Sequence, residues 1–143
     1  MPITGLLALT VAALFTGAAF YVGFAEQPAR LLLSDRSLLE EWKPSYQRGF
    51  MMQASLAVIG FVFGIAAWWS SGHILWLLGA LALISNWPYT MLVIMPTNKA
   101  LTEMPISAAG PRSRDLIQTW GSLHAVRTAL GALATAIFLW AAI

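Results

Sequence analysis

His124 and Arg127 are the residues best suited to chemistry, because each carries an ionisable side chain within an otherwise apolar run. With Trp120 and Gly131 they follow the spacing i, i+4, i+7, i+11, which places all four residues on one face of a helix. Histidine commonly acts as a general acid or base, and arginine binds anionic groups. This stripe is therefore the first candidate for a binding or catalytic site.

A second polar stripe contains Asn86 and Tyr89 or Thr90. Asn86 lies about 13 Å from the end of its apolar run, and His124 and Arg127 lie about 12 and 17 Å into theirs. If the two helices are antiparallel, these groups share one depth. Pro88 removes a backbone donor beside Asn86, and breaks of this kind at membrane depth tend to line cavities.

Glu26 and Arg30 form a third polar pair, with i, i+4 spacing if the first helix continues past Phe24. We interpret the polar residues at one depth as a single intramembrane pocket, since ionisable groups at such positions are functional by default. For Asn86 alone, an interhelical hydrogen bond is the favoured interpretation. The corresponding alternative for Arg127 is that it reaches the surface or pairs with Glu26.

The charge distribution predicts the elements that position these residues. All eight Lys and Arg and all six Asp and Glu lie within residues 26–48 or 99–127. The stretches without formal charge are residues 3–24, 50–70, 74–95 and 128–143. Three of them match the ~20 residues that cross ~30 Å of hydrocarbon. The fourth is long enough to span only if its helix begins near Asp115 and includes Arg127. An arginine side chain exposed to lipid costs on the order of 3 kcal/mol. Arg127 should therefore face the protein interior.

The chain is 59% hydrophobic and 10% charged, whereas about 25% of residues are charged in an average soluble domain. Backbone amides in hydrocarbon must be paired within the protein, and these runs lack the alternation of barrel strands. We therefore predict one all-α domain over residues 1–143, a four-helix transmembrane bundle with up-down-up-down topology. The helices are expected at about residues 3–25, 46–70, 74–95 and 115–142. The first is expected to be a retained helix and not a signal peptide.

The connections carry further signals. Residues 30–42 intersperse leucine and tryptophan with charges, which predicts a short amphipathic helix at the membrane surface. Pro44 disfavours helix at the residue before it, so the second transmembrane helix is expected to begin near Ser45 or Tyr46. The third connection, which contains three prolines and Gly110, is expected to be mostly irregular.

Lys and Arg occur in both long connections and are absent from residues 70–73. The positive-inside rule therefore predicts that both charged connections are cytoplasmic and both termini lie outside, in the inner membrane if the source is prokaryotic. The protein is therefore expected to lie in a lipid bilayer. The net charge of +2 is confined to these connections, so it indicates orientation and not nucleic-acid binding.

The absence of cysteine excludes disulfides, thiolate nucleophiles and iron–sulfur clusters, and no spacing resembles a metal site. His73 is expected in a solvated turn, too far from His124 for both to bind one haem iron. Gly60 and Gly64 have the spacing of closely packed membrane helices, which we interpret as contact within the bundle. The sequence leaves open whether the chain forms a homo-oligomer.

Several segments together resemble one family: residues 26–30, 42–49, 86–90, 94–98 and 120–128. The most specific parts are the Met-Pro-x-Asn run that ends at Asn98 and the Trp-x-x-x-His-x-x-Arg stripe that begins at Trp120. They resemble the small four-helix membrane proteins grouped with the fungal anthrone oxygenases, and the resemblance covers nearly the whole chain. It implies oxidation of an anthrone to an anthraquinone by O₂, with no metal, flavin or other cofactor.

The resemblance also implies roles for the polar residues. His124 is expected to act as the base, with Arg127 and Asn86 stabilising the enolate oxygen. The substrate is expected to be a flat hydrophobic aromatic, either an anthrone, a quinol or another phenolic compound. Its candidate binding residues are Trp120, Tyr89, Trp87, Asn98, Tyr46, Arg48, Glu26 and Arg30.

Two other functions stay open. A small transport or proton-relay protein can use Glu26, His124 and Arg127 as a pathway. The outer half of each helix lacks ionisable residues, however, so the pocket is expected to open towards the cytoplasmic side only. A non-catalytic accessory or structural membrane subunit needs no pocket, since the polar residues then only hold the helices together.

Overall fold

A computed structural model describes residues 1–143 and contains four long helices and no strand. Helix α1 is Ile3–Arg30, α2 is Asp35–Ser71, α3 is Ile74–Glu103 and α4 is Pro111–Ala142. A single 3₁₀ turn, Ile106–Ala108, lies between α3 and α4. Each of the four helices is long and apolar enough to cross a membrane, so the prediction of an all-α, four-helix transmembrane bundle is confirmed.

Helix α1 packs against α2 and α4, and α3 packs against the same two helices, so the order around the bundle is α1, α2, α3, α4. Both charged connections lie at one end, which we call the charged end. The α2–α3 hairpin and both termini lie at the other. The hairpin is short because Gly72 adopts a left-handed conformation (φ 70°), which glycine tolerates and which ends α2.

Helix α2 begins at Asp35, well before the predicted start near Ser45. Pro44 lies inside it, so the amphipathic segment is helical as expected but continuous with the transmembrane part. An internal proline costs ~3 kcal/mol. The preceding turns bury Leu38, Leu39 and Trp42 completely, and each buried side chain of this size contributes ~1.5–3 kcal/mol. Burial therefore outweighs the proline penalty.

Helix α3 likewise continues past Pro96, where the third connection was expected to begin, and ends at Glu103. A π-helical turn, Thr90–Ile94, ends two residues before this proline. The π turn interrupts the regular hydrogen-bond ladder, so Pro96 occupies the equivalent of a first helical turn, where a missing N–H is tolerated. Pro111 begins α4 in the same way, four residues before the predicted start.

Two layers of buried apolar side chains stabilise the bundle. The layer far from the charged end is mostly alanine, with the rings of Phe15, Trp76 and Phe138 filling the remaining space. The layer near the charged end consists of Leu38, Leu39, Trp42, Ile94, Leu101, Ile117 and Trp120. Gly60 and Gly64 belong to the first region and contact α3: a Cβ on Gly64 would lie 2.8 Å from the Ala80 Cβ. Their predicted role in close packing within the bundle is therefore confirmed.

The contact of Gly79 with Phe138 gives a first prediction. A Cβ on Gly79 would lie 2.5 Å from two carbons of the Phe138 ring. We expect Gly79→Ala to destabilise the bundle by ~1–3 kcal/mol, because the ring has to shift in a filled core. The measurement is the melting temperature in detergent. Gly17→Ala is the matched control, since nothing lies within 4 Å of its Cβ position; equal melting temperatures would contradict the predicted overpacking.

Lys43 gives a second prediction, because it ties α2 to the end of α3. Its Nζ donates to the carbonyl oxygens of Leu101, Thr102 and Met104 at 3.1, 2.8 and 2.6 Å. We expect Lys43→Met to cost ~1.5–3 kcal/mol and to expose the third connection, since these carbonyls lose a charged donor. Limited proteolysis of that connection is the measurement. Lys99→Met, which changes an exposed lysine on the same end, should leave the cleavage rate unchanged.

Candidate functional site

A cavity of about 20 Å³ lies at the centre of the bundle, between the two apolar layers. It has room for about one water molecule. Polar side chains from all four helices line this central cavity: Arg30 from α1, Ser45, Tyr46 and Gln53 from α2, Asn98 from α3, and His124 and Arg127 from α4. The polar residues of distant segments therefore converge on one point.

A smaller space of about 10 Å³, the side crevice, adjoins the central cavity. Asn86, Trp87 and Thr90 line it from α3, while Phe50 and Arg127 line both spaces. The central cavity and the side crevice therefore form one polar level, with Arg127 between them.

His124 lies on the buried face of α4 and is 3% exposed. Its ring is 4.9 Å from that of Trp120, one helical turn away. The Nδ1 atom is buried and has no hydrogen-bond partner in the protein. A ring nitrogen in this state is available to accept a proton from, or donate one to, a bound molecule.

Arg127 is 7% exposed and has no carboxylate within ion-pair distance. Its guanidinium lies 5.7 Å from the centre of the Phe15 ring, and its Nε atom has no hydrogen-bond partner. Burial of a cation without a counter-charge is expensive. The site therefore has an unused capacity to stabilise negative charge.

Unpaired polar atoms are concentrated at this level. Buried polar atoms in folded proteins are nearly always hydrogen-bonded. Seven buried side-chain atoms around the two spaces have neither a hydrogen-bond nor an ion-pair partner within the protein: Arg30 Nη1, Gln53 Oε1, Asn86 Oδ1, Thr90 Oγ1, Asn98 Oδ1, His124 Nδ1 and Arg127 Nε. They offer acceptors and donors together, which is the complement of a small polar group such as a phenol or ketone.

Arg30 anchors the charged end of the cavity. Its Nη2 donates to Glu26 Oε1 and to Ser45 Oγ, both at 2.9 Å, and its Nε lies 3.1 Å from Glu41 Oε2. The predicted Glu26–Arg30 pair is confirmed, and the alternative pairing of Glu26 with Arg127 does not occur. The Arg30 guanidinium also lies 5.7 Å from the centre of the Trp120 ring, so the ion-pair cluster positions that ring.

A row of aromatic side chains on α2 leads from the charged end to the side crevice. Trp42 stacks on Tyr46 with ring centres 4.8 Å apart, and Tyr46 contacts Phe50 at 5.9 Å. Trp42 also meets Trp120 edge to face at 5.8 Å. The i, i+4, i+8 spacing of the row requires the continuous helix through Pro44.

The predicted site residues are distributed as follows. Those that line the central cavity are His124, Arg127, Trp120, Asn98, Tyr46 and Arg30. Asn86 and Trp87 line the side crevice, and Glu26 does not line the cavity but bonds to two residues that do, Arg30 and Ser45.

Two predicted residues lie elsewhere. The Tyr89 hydroxyl donates to the Leu123 carbonyl at 2.8 Å, so it joins α3 to α4 and lines neither space. Arg48 is exposed, because the uninterrupted helical phase of α2 turns the Trp42 and Gln53 face inward and Arg48 outward.

Sequence reasoning missed Gln53, Ser45, Glu41 and Phe50. Gln53 carried a signal, since it is the one amide side chain in the apolar run of residues 50–70 and lies seven residues after Tyr46. The expected helix break at Pro44 concealed the fact that Glu41 and Ser45 lie on the same face of one helix, beside Arg30.

Comparison with known proteins gives consistent matches. Residues 42–137 match the family model described as anthrone oxygenase. The chain is 32% identical over 138 residues to an anthrone oxygenase of Claviceps purpurea (strain 20.1), covering 87% of this chain and 79% of the relative. It is 33% identical over 99 residues to the anthrone oxygenase tpcL of Aspergillus fumigatus, covering 64% of this chain and 62% of that relative. No solved structure matches the chain. The family segment contains every cavity-lining residue of α2, α3 and α4.

Proposed function

The chain belongs to the anthrone oxygenase family, and from this premise we propose that it oxidises an anthrone-like flat aromatic with O₂ at the central cavity. The observation that carries the proposal is the set of unpaired buried polar atoms around His124 and Arg127. Side chains that serve only to join helices pair most of their polar atoms with each other or with buried water. A site that receives a polar group from a substrate leaves them free.

The reaction balances without a further oxidant. An anthrone carries a CH₂ group between two aromatic rings, opposite a ketone. Removal of one CH₂ proton gives an electron-rich anion, which passes electrons to O₂ and forms a C–O bond as a peroxide. The base returns its proton to the peroxide, and loss of water with the second C–H hydrogen leaves a second carbonyl. One anthrone and one O₂ give one anthraquinone and one water.

His124 is the base in this proposal. It is buried, it lines the cavity, and its Nδ1 has no competing partner. A base within reach of an acidic C–H group contributes about 10²–10⁴-fold to such a step. The position of the cavity among four helices also limits contact with bulk water, which would otherwise reprotonate the anion.

Arg127 stabilises the oxygen on which the anion's charge accumulates. It is a buried cation without a carboxylate partner, and it faces both the central cavity and the side crevice. A fixed charge in a low-dielectric site acts strongly on a developing oxyanion. Asn86 assists from α3. Its Nδ2 donates to the Leu83 carbonyl, and its unpaired Oδ1 would accept a hydrogen bond from a hydroxyl group of the substrate.

The rings of the substrate would stack on Trp120 and Tyr46, which line the cavity and are held by Trp42. A cavity of about 20 Å³ does not hold a three-ring compound. The surrounding side chains must therefore move when substrate enters.

The test of the proposal uses purified protein in lipid nanodiscs, an anthrone and ¹⁸O₂. We expect consumption of one O₂ for each anthraquinone formed, with one ¹⁸O atom in the product and the other in water. Arg48→Ala serves as the matched control, because Arg48 is exposed and lies outside the site. Anthrone oxidation no faster than in nanodiscs without protein, across a panel of substituted anthrones, would reject the proposal.

We also infer that the charged end faces the cytoplasm, because both Lys- and Arg-containing connections lie there. The chain contains no cysteine, so a single introduced cysteine is a clean label. In sealed spheroplasts or cells, an impermeant maleimide should label Ser71→Cys, at the hairpin, and should spare Ser107→Cys, in the third connection. The reverse labelling would overturn the orientation.

A further inference from the structure

The outer surface of the bundle carries a groove of about 550 Å³ along the seam between α2 and α3. Its lining is mostly apolar and includes Met51, which is 65% exposed, together with Val58 and Ile59. In helices that cross a membrane, such side chains face hydrocarbon. The groove therefore lies where a hydrophobic compound dissolved in the bilayer would meet the protein.

Only thin walls separate this groove from the polar level. Phe50 lines the groove, the side crevice and the central cavity, and Trp87 lines the groove and the side crevice. The Trp87 Nε1 donates to the Ala54 carbonyl at 3.3 Å, a long hydrogen bond that joins α3 to α2 across the seam. Two aromatic side chains, Phe50 and Trp87, thus separate the membrane from Arg127, and one long hydrogen bond holds Trp87 in place.

The seam between α1 and α4 also carries a groove, of about 730 Å³, but it is closed differently. None of its lining residues lines the central cavity. Gln27 is 7% exposed and donates to the Ile117 carbonyl at 2.8 Å, and a Cβ on Gly121 would lie 2.6 Å from its Nε2. A side chain bonded to backbone and packed this tightly is a fixed barrier.

Helix α3 is irregular where it forms the first seam, and α1 also contains a π turn, Val22–Glu26, beside the other groove. Pro88 interrupts the hydrogen-bond ladder one residue after Trp87, and the π turn Thr90–Ile94 follows at once. Interruptions of this kind reduce the number of hydrogen bonds that resist local movement, and π turns are frequent at functional sites. The segment of α3 that carries Trp87 can therefore move without unfolding of the long helices.

We propose that the hydrophobic aromatic substrate enters laterally from the bilayer between α2 and α3, displacing Phe50 and Trp87, and that these two side chains determine which ring widths are admitted. This route replaces the opening towards the cytoplasmic side that the sequence predicted. This inference rests on the proposed function for the identity of the substrate. Lateral entry explains how two small cavities can bind a three-ring compound, because the substrate occupies the space that the displaced rings of Phe50 and Trp87 leave.

Two serines allow a matched test in a chain without cysteine. Ser55 is exposed in the α2–α3 groove, and Ser122 is exposed in the α1–α4 groove. Each is replaced by cysteine in turn, and each variant is compared before and after attachment of a bulky pyrene maleimide. Two quantities are measured in nanodiscs: kcat/KM for an anthrone, and the association rate of anthraquinone, followed by quenching of tryptophan fluorescence.

We expect the label on Ser55→Cys to lower both quantities at least tenfold relative to the unlabelled variant, and the label on Ser122→Cys to change neither by more than twofold. Unchanged rates for labelled Ser55→Cys, with oxidation intact, would overturn the lateral route and leave the proposed function standing. Slowed anthraquinone association without any anthrone oxidation would support the route and reject the proposed reaction. A loss confined to labelled Ser122→Cys would move the entrance to the other seam.

A second variant tests the closing hydrogen bond. Trp87→Phe keeps an aromatic ring but removes the donor to the Ala54 carbonyl, so we expect anthraquinone association to become about two- to fivefold faster. A destabilised fold would instead slow binding or lower the melting temperature. An unchanged association rate with an unchanged melting temperature would show that this contact does not close the entrance.

Discussion

Replacement of His124 by alanine is expected to lower kcat for anthrone oxidation by about 10²–10⁴-fold, the range that a positioned general base contributes. The imidazole lines the central cavity with an unpaired Nδ1, and no other histidine lies near it. The substrate would still bind, because the rings of Trp120 and Tyr46 remain. We therefore expect kcat to fall far more than the apparent affinity changes.

The measurement is the rate of anthraquinone formation by absorbance, together with O₂ uptake. His73→Ala is the matched control, because His73 is the other histidine of the chain and lies exposed at the hairpin. Added imidazole should restore part of the lost rate, since the deleted ring leaves space for it. Full turnover by a folded His124→Ala protein would remove the central claim of the proposed function.

Arg127→Met is expected to separate activity from stability. We predict that kcat falls by about 10²–10³-fold, as on removal of one oxyanion donor from other enzymes. The melting temperature should stay the same or rise, because the variant removes a buried cation that has no carboxylate partner and keeps the packing against Phe15. Loss of activity and gain of stability from one substitution is typical of a residue retained for function.

A structural role for Arg127 makes the opposite prediction. If the guanidinium held the helices together, Arg127→Met would lower the melting temperature and affect activity only through loss of folded protein. Arg48→Met is the control, since that side chain is exposed and should alter neither property. Arg127→Lys keeps the charge but loses the planar donor arrangement, so it should recover only part of the rate.

The sequence by itself determined the four transmembrane helices and which residues form the buried face of α4. Charged residues are confined to two segments, so the helices that cross hydrocarbon follow from the cost of placing charge in lipid. The stripe of Trp120, His124, Arg127 and Gly131 is buried as its spacing predicted, because helical periodicity is a local property. The Glu26–Arg30 pair follows from the same periodicity.

Only the tertiary structure decided where the helices are continuous and which side chains meet. From the sequence, Pro44 predicted a break between two helices, because a proline inside a helix costs ~3 kcal/mol and this cost arises locally. The burial that offsets it comes from Ile117 and Trp120, far away in the sequence. That continuity turned Arg48 outward and brought Ser45 to Arg30. Contacts between distant segments depend on the summed packing of all four helices, and no local pattern contains that sum.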